Sequence, residues 1–249
     1  YQNAKIDLAA DEVIPADCAL IIVAGAKNEF SRAELGRINA YLKSGGRMLV
    51  LLSAPGQGGV SSILPSWGIR PVESSFTGVK TLSGSDVIVS GFADHAISSA
   101  LNGARIVLEK PLSFVSSGAA IVAGADKIEF TPIASVASSA VVAAVERGGG
   151  AGSDLAIRPT RIVAIGDAGF VMNAHLASRG NANRDFFLNA IAYLSGTDVP
   201  GASGIESDLL VTGMDRGRRA KYIMISAVLF PLAVFAVLSL VVLRRRFRK

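Results

Sequence analysis

The 249-residue chain has a single cysteine, Cys18, and only two histidines, His95 and His175. One cysteine excludes an intrachain disulfide and any cluster of thiolate ligands. Cys18 stands at the entrance to the apolar run ALIIVAG, where a small buried side chain is the expected role. The histidines form no HxH or HxxxH pair, so no metal site is written in local spacing. There is no GxSxG or GxCxG turn to expose a nucleophile, and no Walker motif to hold ATP. GGGAG, residues 148–152, is followed by Pro159 rather than by an amphipathic helix, and reads as a loop instead of a phosphate cradle.

Acidic residues are absent from position 216 onward, where nine of the 25 basic residues fall. The first 215 residues therefore hold sixteen basic against twenty acidic groups, and the overall charge of +5 belongs to the C-terminus. A globular part without clustered Lys and Arg offers no nucleic-acid face. Residues 222–243 carry no charge, a length sufficient for a helix across a hydrocarbon layer of about 30 Å. Basic groups bracket both ends, and the flank counts alone leave the orientation open. These features predict a linker at 201–221, a transmembrane helix at 222–243 and a basic tail at 244–249. A start at Tyr1 leads us to expect further sequence upstream.

Residues 1–200 read as one α/β domain. ALIIVAG predicts a strand buried on both faces. Ser31 and Glu34 have capping-box spacing, Leu35, Ile38 and Leu42 share a helical face, and Gly45–Gly46 stops the helix. RMLVLLS returns as a second strand, which completes a β-α-β unit. A short helical stretch is expected near Val60 to Ser66. Residues 72–145 change to short β-branched segments, an inserted or appended β-rich portion whose pairing order stays open. RIVAIGD then forms a last strand ending on Asp167, and a helix follows from Asn183, with Asn183 as its cap and Phe187, Ala190, Ile191 and Leu194 on its apolar face.

Between that strand and helix lies GDAGFVMNAHLASRGNANRDFFLNA, residues 166–190, with nine Asp, Asn, His and Arg side chains in twenty-five positions. Ligands of open α/β sheets bind at the carboxyl ends of strands, which makes the stretch a candidate site on placement alone. Neither histidine has a recognisable nucleophile to activate. A strand-end carboxylate such as Asp167 commonly ties the following loop through its backbone N–H groups. Asp185 suits the positive end of a helix dipole, and His95 in FADHAISSAL suits a loop or cap.

Several segments together resemble the GldG-type auxiliary components of ABC transport systems, first linked to bacterial gliding motility. They are IPADCALIIVAGAKNEFSRAEL, YLKSGGRMLVLLS, SWGIRPVE and the run Asp94, His95, Ala96, Ile97 and Ser98. Gly166, Asp167, Ala168, Gly169 and Phe170 stand for the family's Gly-Asp-Ser-Asp-Phe. Asn173 follows, and Asn183, Arg184, Asp185, Phe186, Phe187, Leu188, Asn189 and Ala190 match its Asn-Arg-Asp-Leu-Phe-Leu-Asn-Ala. Gly169 replaces the second acid, which removes a carboxylate from that pattern.

The resemblance implies a flavodoxin-like, degenerate amidotransferase-like domain with a mainly parallel sheet, related to one in intraflagellar transport proteins and lacking the amidotransferase triad. It implies a non-catalytic, membrane-anchored subunit in the bacterial inner membrane, with a periplasmic domain and an ABC permease and ATPase as partners. No cofactor or metal is expected. Asp94, His95, Asp167, Phe170, Asn173, Asn183, Arg184, Asp185 and Asn189 are then structural or partner-contacting residues. Two other readings stay open: a membrane-tethered hydrolase of this fold using Asp167 and His175, and a structural or sensory module without a transporter.

Overall fold

The computed structural model describes residues 3–10, 13–76, 86–101, 103–118, 127–148, 158–178 and 180–197. The β-α-β unit forms as the pattern predicts. Strand β1 (Ile21–Ala24) leads to helix α1 (Arg32–Lys43), and β2 (Arg47–Leu51) pairs parallel with β1. The α1 capping box is complete: Ser31 N–H donates to Glu34, and Glu34 N–H donates to Ser31 Oγ. In place of one helix near Val60 to Ser66, two 3-10 turns, Gln57–Ser62 and Leu64–Trp67, lead to β3 (Ile69–Val72).

The middle of the chain is strand after strand. β4 (Asp86–Val89) and β6 (Ile106–Glu109) make a separate antiparallel pair. β5 (Gly91–Phe92), β7 (Ser113–Ser116), β8 (Ile128–Val136), β9 (Ser139–Arg147) and β10 (Thr160–Ile165) join the main sheet. Helices α2 (Asn173–Leu176) and α3 (Asn183–Ser195) close the described chain.

The main sheet runs β1-β2-β10-β9-β7-β3, with β8 pairing β9 and β5. Only β1, β2 and β10 are mutually parallel; β10 with β9, β9 with β8, β7 with β9, β3 with β7 and β5 with β8 are antiparallel. The expected mainly parallel, flavodoxin-like sheet is therefore corrected to a mixed sheet with few helices. The reason is local. Parallel neighbours need a long crossover, whereas β8 and β9 are joined through Ala137 and Ser138 alone, both at positive φ, in a tight hairpin that enforces antiparallel pairing. The β-rich portion is no appendage, because β9 lies beside β10 at the centre.

ALIIVAG also corrects its expected place. β1 is the sheet's edge, half-exposed, with Ile22 47% accessible, while β2 is buried throughout. Burial on both faces is found instead in β2 and β10, whose residues divide between two apolar clusters. Met48, Val50, Leu52, Ile162 and Ala164 pack with Ile38 and Leu42 of α1 and with Trp67. Leu49, Leu51, Val163 and Ile165 pack with Phe186, Ala190 and Leu194 of α3. α1 and α3 thus cover opposite faces, so the chain diverges at the carboxyl ends of β2 and β10.

Among the described residues no helix is long and apolar enough to cross a membrane. The expected single-pass C-terminal helix, and the inner-membrane, periplasmic placement that rested on it, are therefore not supported by the described residues. The run 222–243, its linker and tail, the GGGAG loop from residue 149 on and the AAIVAG segment lie outside the described residues.

Candidate functional site

At the point of divergence the chain bonds to itself. Ser53, two residues past the end of β2, donates its N–H to Gln57 Oε1 at 2.6 Å and accepts the Ala168 N–H on its Oγ at 2.9 Å. Gly25, after β1 and at φ +58°, approaches so closely that a Cβ there would meet Ala168 Cβ at 2.9 Å. These contacts link the loops that follow β1, β2 and β10. At the same strand ends lies an open cleft of about 420 Å³ lined by Ser53, Glu109, Lys110, Asp167 and Gly169.

Asp167 follows β10 and is 2% exposed. Its Oδ1 accepts the Gly169 N–H at 2.6 Å, and its Oδ2 accepts the Glu109 N–H at 2.8 Å. One carboxylate thereby shapes the 3-10 turn Ala168–Val171 and ties it to the end of β6. Burial pushes the Asp167 carboxyl above its ordinary value, and nearby Glu109 adds to this. The two backbone bonds and the His175 charge oppose the rise. His175 Nε2 stands 3.6 Å from Glu109 Oε1. Lys110 holds a left-handed backbone at φ +43°, a strained conformation for a residue with a Cβ.

Gly166 explains the start of the motif. A Cβ there would lie 2.2 Å from the Leu112 carbonyl oxygen, because Leu112 N–H donates to the Gly166 carbonyl at 2.8 Å. Phe170 is fully buried and meets Phe186 edge to face, 5.9 Å between centroids. Asn173 is exposed at the start of α2.

Asn183 does not cap α3, contrary to its expected role. Ala182 holds the cap position without a side-chain bond, and Asn181 Oδ1 accepts the Asn183 N–H at 3.1 Å. The Asn183 side chain is instead buried between elements. Its Oδ1 accepts the Val107 N–H at 2.9 Å, and its Nδ2 donates to the carbonyls of Val107 at 2.8 Å and Phe170 at 3.3 Å. Docking of α3 likewise rests on Phe186, Ala190 and Leu194, with Phe187 and Ile191 on its flank. Asp185 is buried, and Asn189 Nδ2 donates to the Ile97 carbonyl at 3.1 Å.

Asp94 and Arg184 are exposed, and His95 packs against Tyr193 of α3, away from Asp167. The motif residues therefore do not converge on one cleft. Asp167 reaches it, Asn183 and Asn189 clamp α3, and Arg184 with Leu188 forms an exposed turn of that helix. Ser53, Gln57, Glu109 and Lys110 line or close the site without having been expected. Their only sequence signal is position at strand ends, which is no different from that of other loop residues. Among the described residues no group of three His, Cys, Asp or Glu side chains is arranged to hold a metal.

No protein-family model matches the chain, and no curated protein matches it. Among solved structures it is similar to the "mmIFT52 N-terminal domain", with a TM-score of 0.52 and 18% identity over 73% of this chain and 79% of that one. At that identity the likeness concerns the fold alone.

Proposed function

We propose that this domain is a non-catalytic, partner-binding subunit, and that its partners are the permease and ATPase of an ABC transport system. The observation that carries the non-catalytic reading is the internal engagement of the polar groups at the strand ends. Ser53 bonds both Gln57 and Ala168 where a ligand of an open α/β sheet would sit. The polar cluster that resembles a site is engaged internally, since both Asp167 oxygens and both Asn183 polar atoms serve backbone groups of neighbouring elements. The shared order of motifs from IPADCALIIVAG to NRDFFLNA supports the choice of partner. Arg184 and Leu188, one turn apart on the outer side of α3, with exposed Met172 before α2, give the contact surface. Affinity purification of the full chain from its native cells should bring down an ABC permease and ATPase, identified by mass spectrometry. Their consistent absence refutes the transporter assignment.

A hydrolytic reading has one observation in its favour: Asp167, held above its ordinary value by burial, borders an open cleft near His175. Against it, the Ser53 hydroxyl is engaged by the Ala168 N–H, and His175 is paired with Glu109. If His175→Ala abolishes turnover of an ester or amide substrate by the pure protein while complex formation persists, the non-catalytic reading fails.

A further inference from the structure

His95 lies in a turn that anchors the far side of α3. Ser98 Oγ donates to the Ala93 carbonyl at 2.7 Å, and the Ser98 and Ser99 N–H groups donate to the His95 carbonyl at 2.9 and 2.8 Å. His95 Nδ1 accepts the Ile97 N–H at 3.2 Å, the geometry of an Asx-type turn built on imidazole. The Ile97 carbonyl accepts from Asn189 of α3. Asn189 Oδ1 is buried without a hydrogen-bond partner, so the Nδ2 bond is its polar tie to the turn. The imidazole also meets Tyr193 of α3 at an interplanar angle of 67°, with centroids 4.8 Å apart.

The charged and titratable groups around the ring come from four elements. Asp94 belongs to its own turn, Glu146 to β9, Arg161 to β10 and Tyr193 to α3. Arg161 lies over the Tyr193 ring at 4.7 Å and pairs with Glu146 at 3.0 Å. The same Glu146 oxygen accepts the Tyr193 hydroxyl at 3.2 Å. The nearest buried-side acid is thus engaged twice, and an imidazolium would face Arg161. Burial first and Arg161 second hold His95 below its ordinary value, against Glu146 and Asp94.

We propose that His95 is an acid-sensitive latch between the 93–99 turn and α3, closed while Nδ1 accepts the Ile97 N–H and opened when a proton occupies that nitrogen. An imidazole that accepts at Nδ1 carries its proton on Nε2; protonation turns Nδ1 into a donor facing another donor. The Ile97 N–H then loses its side-chain acceptor, and the rearranged turn draws the Ile97 carbonyl, in the next peptide group, away from Asn189. The device rests on the fold and not on the identity of any partner.

Nitrogen-resolved NMR of the full chain between about pH 7.5 and about pH 5 tests this, because each of the two histidines gives its own signals. At neutral pH His95 should show the Nε2–H tautomer. Loss of Ile97 amide protection, after allowance for intrinsically slower exchange in acid, should track His95 and not His175. His95→Asn keeps an acceptor for the Ile97 N–H without a titrating proton, and should make protection constant across the range. Unchanged Ile97 protection as wild-type His95 titrates overturns the proposal without recourse to any variant. A protection loss that survives in His95→Asn overturns it as well.

Discussion

Gly166 and Asp167 show how one dipeptide serves two neighbours. Gly166 admits the Leu112 carbonyl, and Asp167 gathers the Glu109 and Gly169 N–H groups. Gly166→Ala places a Cβ against backbone that cannot rotate away, and should cost about 1–3 kcal/mol or more, read from the shift in a urea midpoint. Asp167→Asn keeps one acceptor but sets an amide N–H₂ against a backbone donor. The Asp167 value is raised by folding, so its ionisation opposes the folded state. Its stabilising contribution is complete below the ordinary value of 3.8 and declines as pH rises through the folded one. Wild type should therefore exceed Asp167→Asn by more at about pH 4 than at about pH 7, when denaturant midpoints are compared at both. An equal margin at both contradicts a desolvated carboxylate.

At the scale of elements, α1 was legible because its signals are local: Ser31, Glu34 and the Ile38 to Leu42 spacing all act within one helix. Strand positions were not. ALIIVAG and RMLVLL are equally apolar, yet β1 is an edge and β2 a centre, since the order depends on partners remote in sequence. The hairpin at Ala137 and Ser138 lacks the Asn-Gly signal that such turns favour, which hid the antiparallel β8–β9 pair. Asn183 was misread for a related reason. A local cap and a bridge to Val107, 76 residues away, look identical in sequence. The distinction predicts magnitude. Ser31→Ala removes an exposed cap worth about 1 kcal/mol. Asn183→Ala strands buried backbone groups of two elements at about 1–3 kcal/mol each, so its thermal midpoint should fall well below that of Ser31→Ala. Equal losses would mean that Asn183 acts only at the helix terminus.

For the whole molecule, a three-stranded parallel unit covered by α1 and α3 is continued by antiparallel strands, and Ser53 links the loops at its strand ends by bonding Gln57 and Ala168. Asp167 and Asn183 of the polar segment tie β6, the Ala168–Val171 turn and α3 together, with Arg184 and Leu188 left on the outer side of α3. The order of the polar residues along this segment was legible; their separation onto different faces of the fold was not, because it depends on which strands α3 crosses. The most direct test of the central claim is quantitative co-purification of the ABC permease and ATPase with full-length wild type and with Arg184→Glu/Leu188→Asp. Exposed positions of this kind change stability by about 0.5 kcal/mol or less, so the double variant should keep its thermal midpoint. The account predicts both partners with wild type and their loss with the variant. Absence of the partners from wild type, or their full retention by the folded variant, contradicts it.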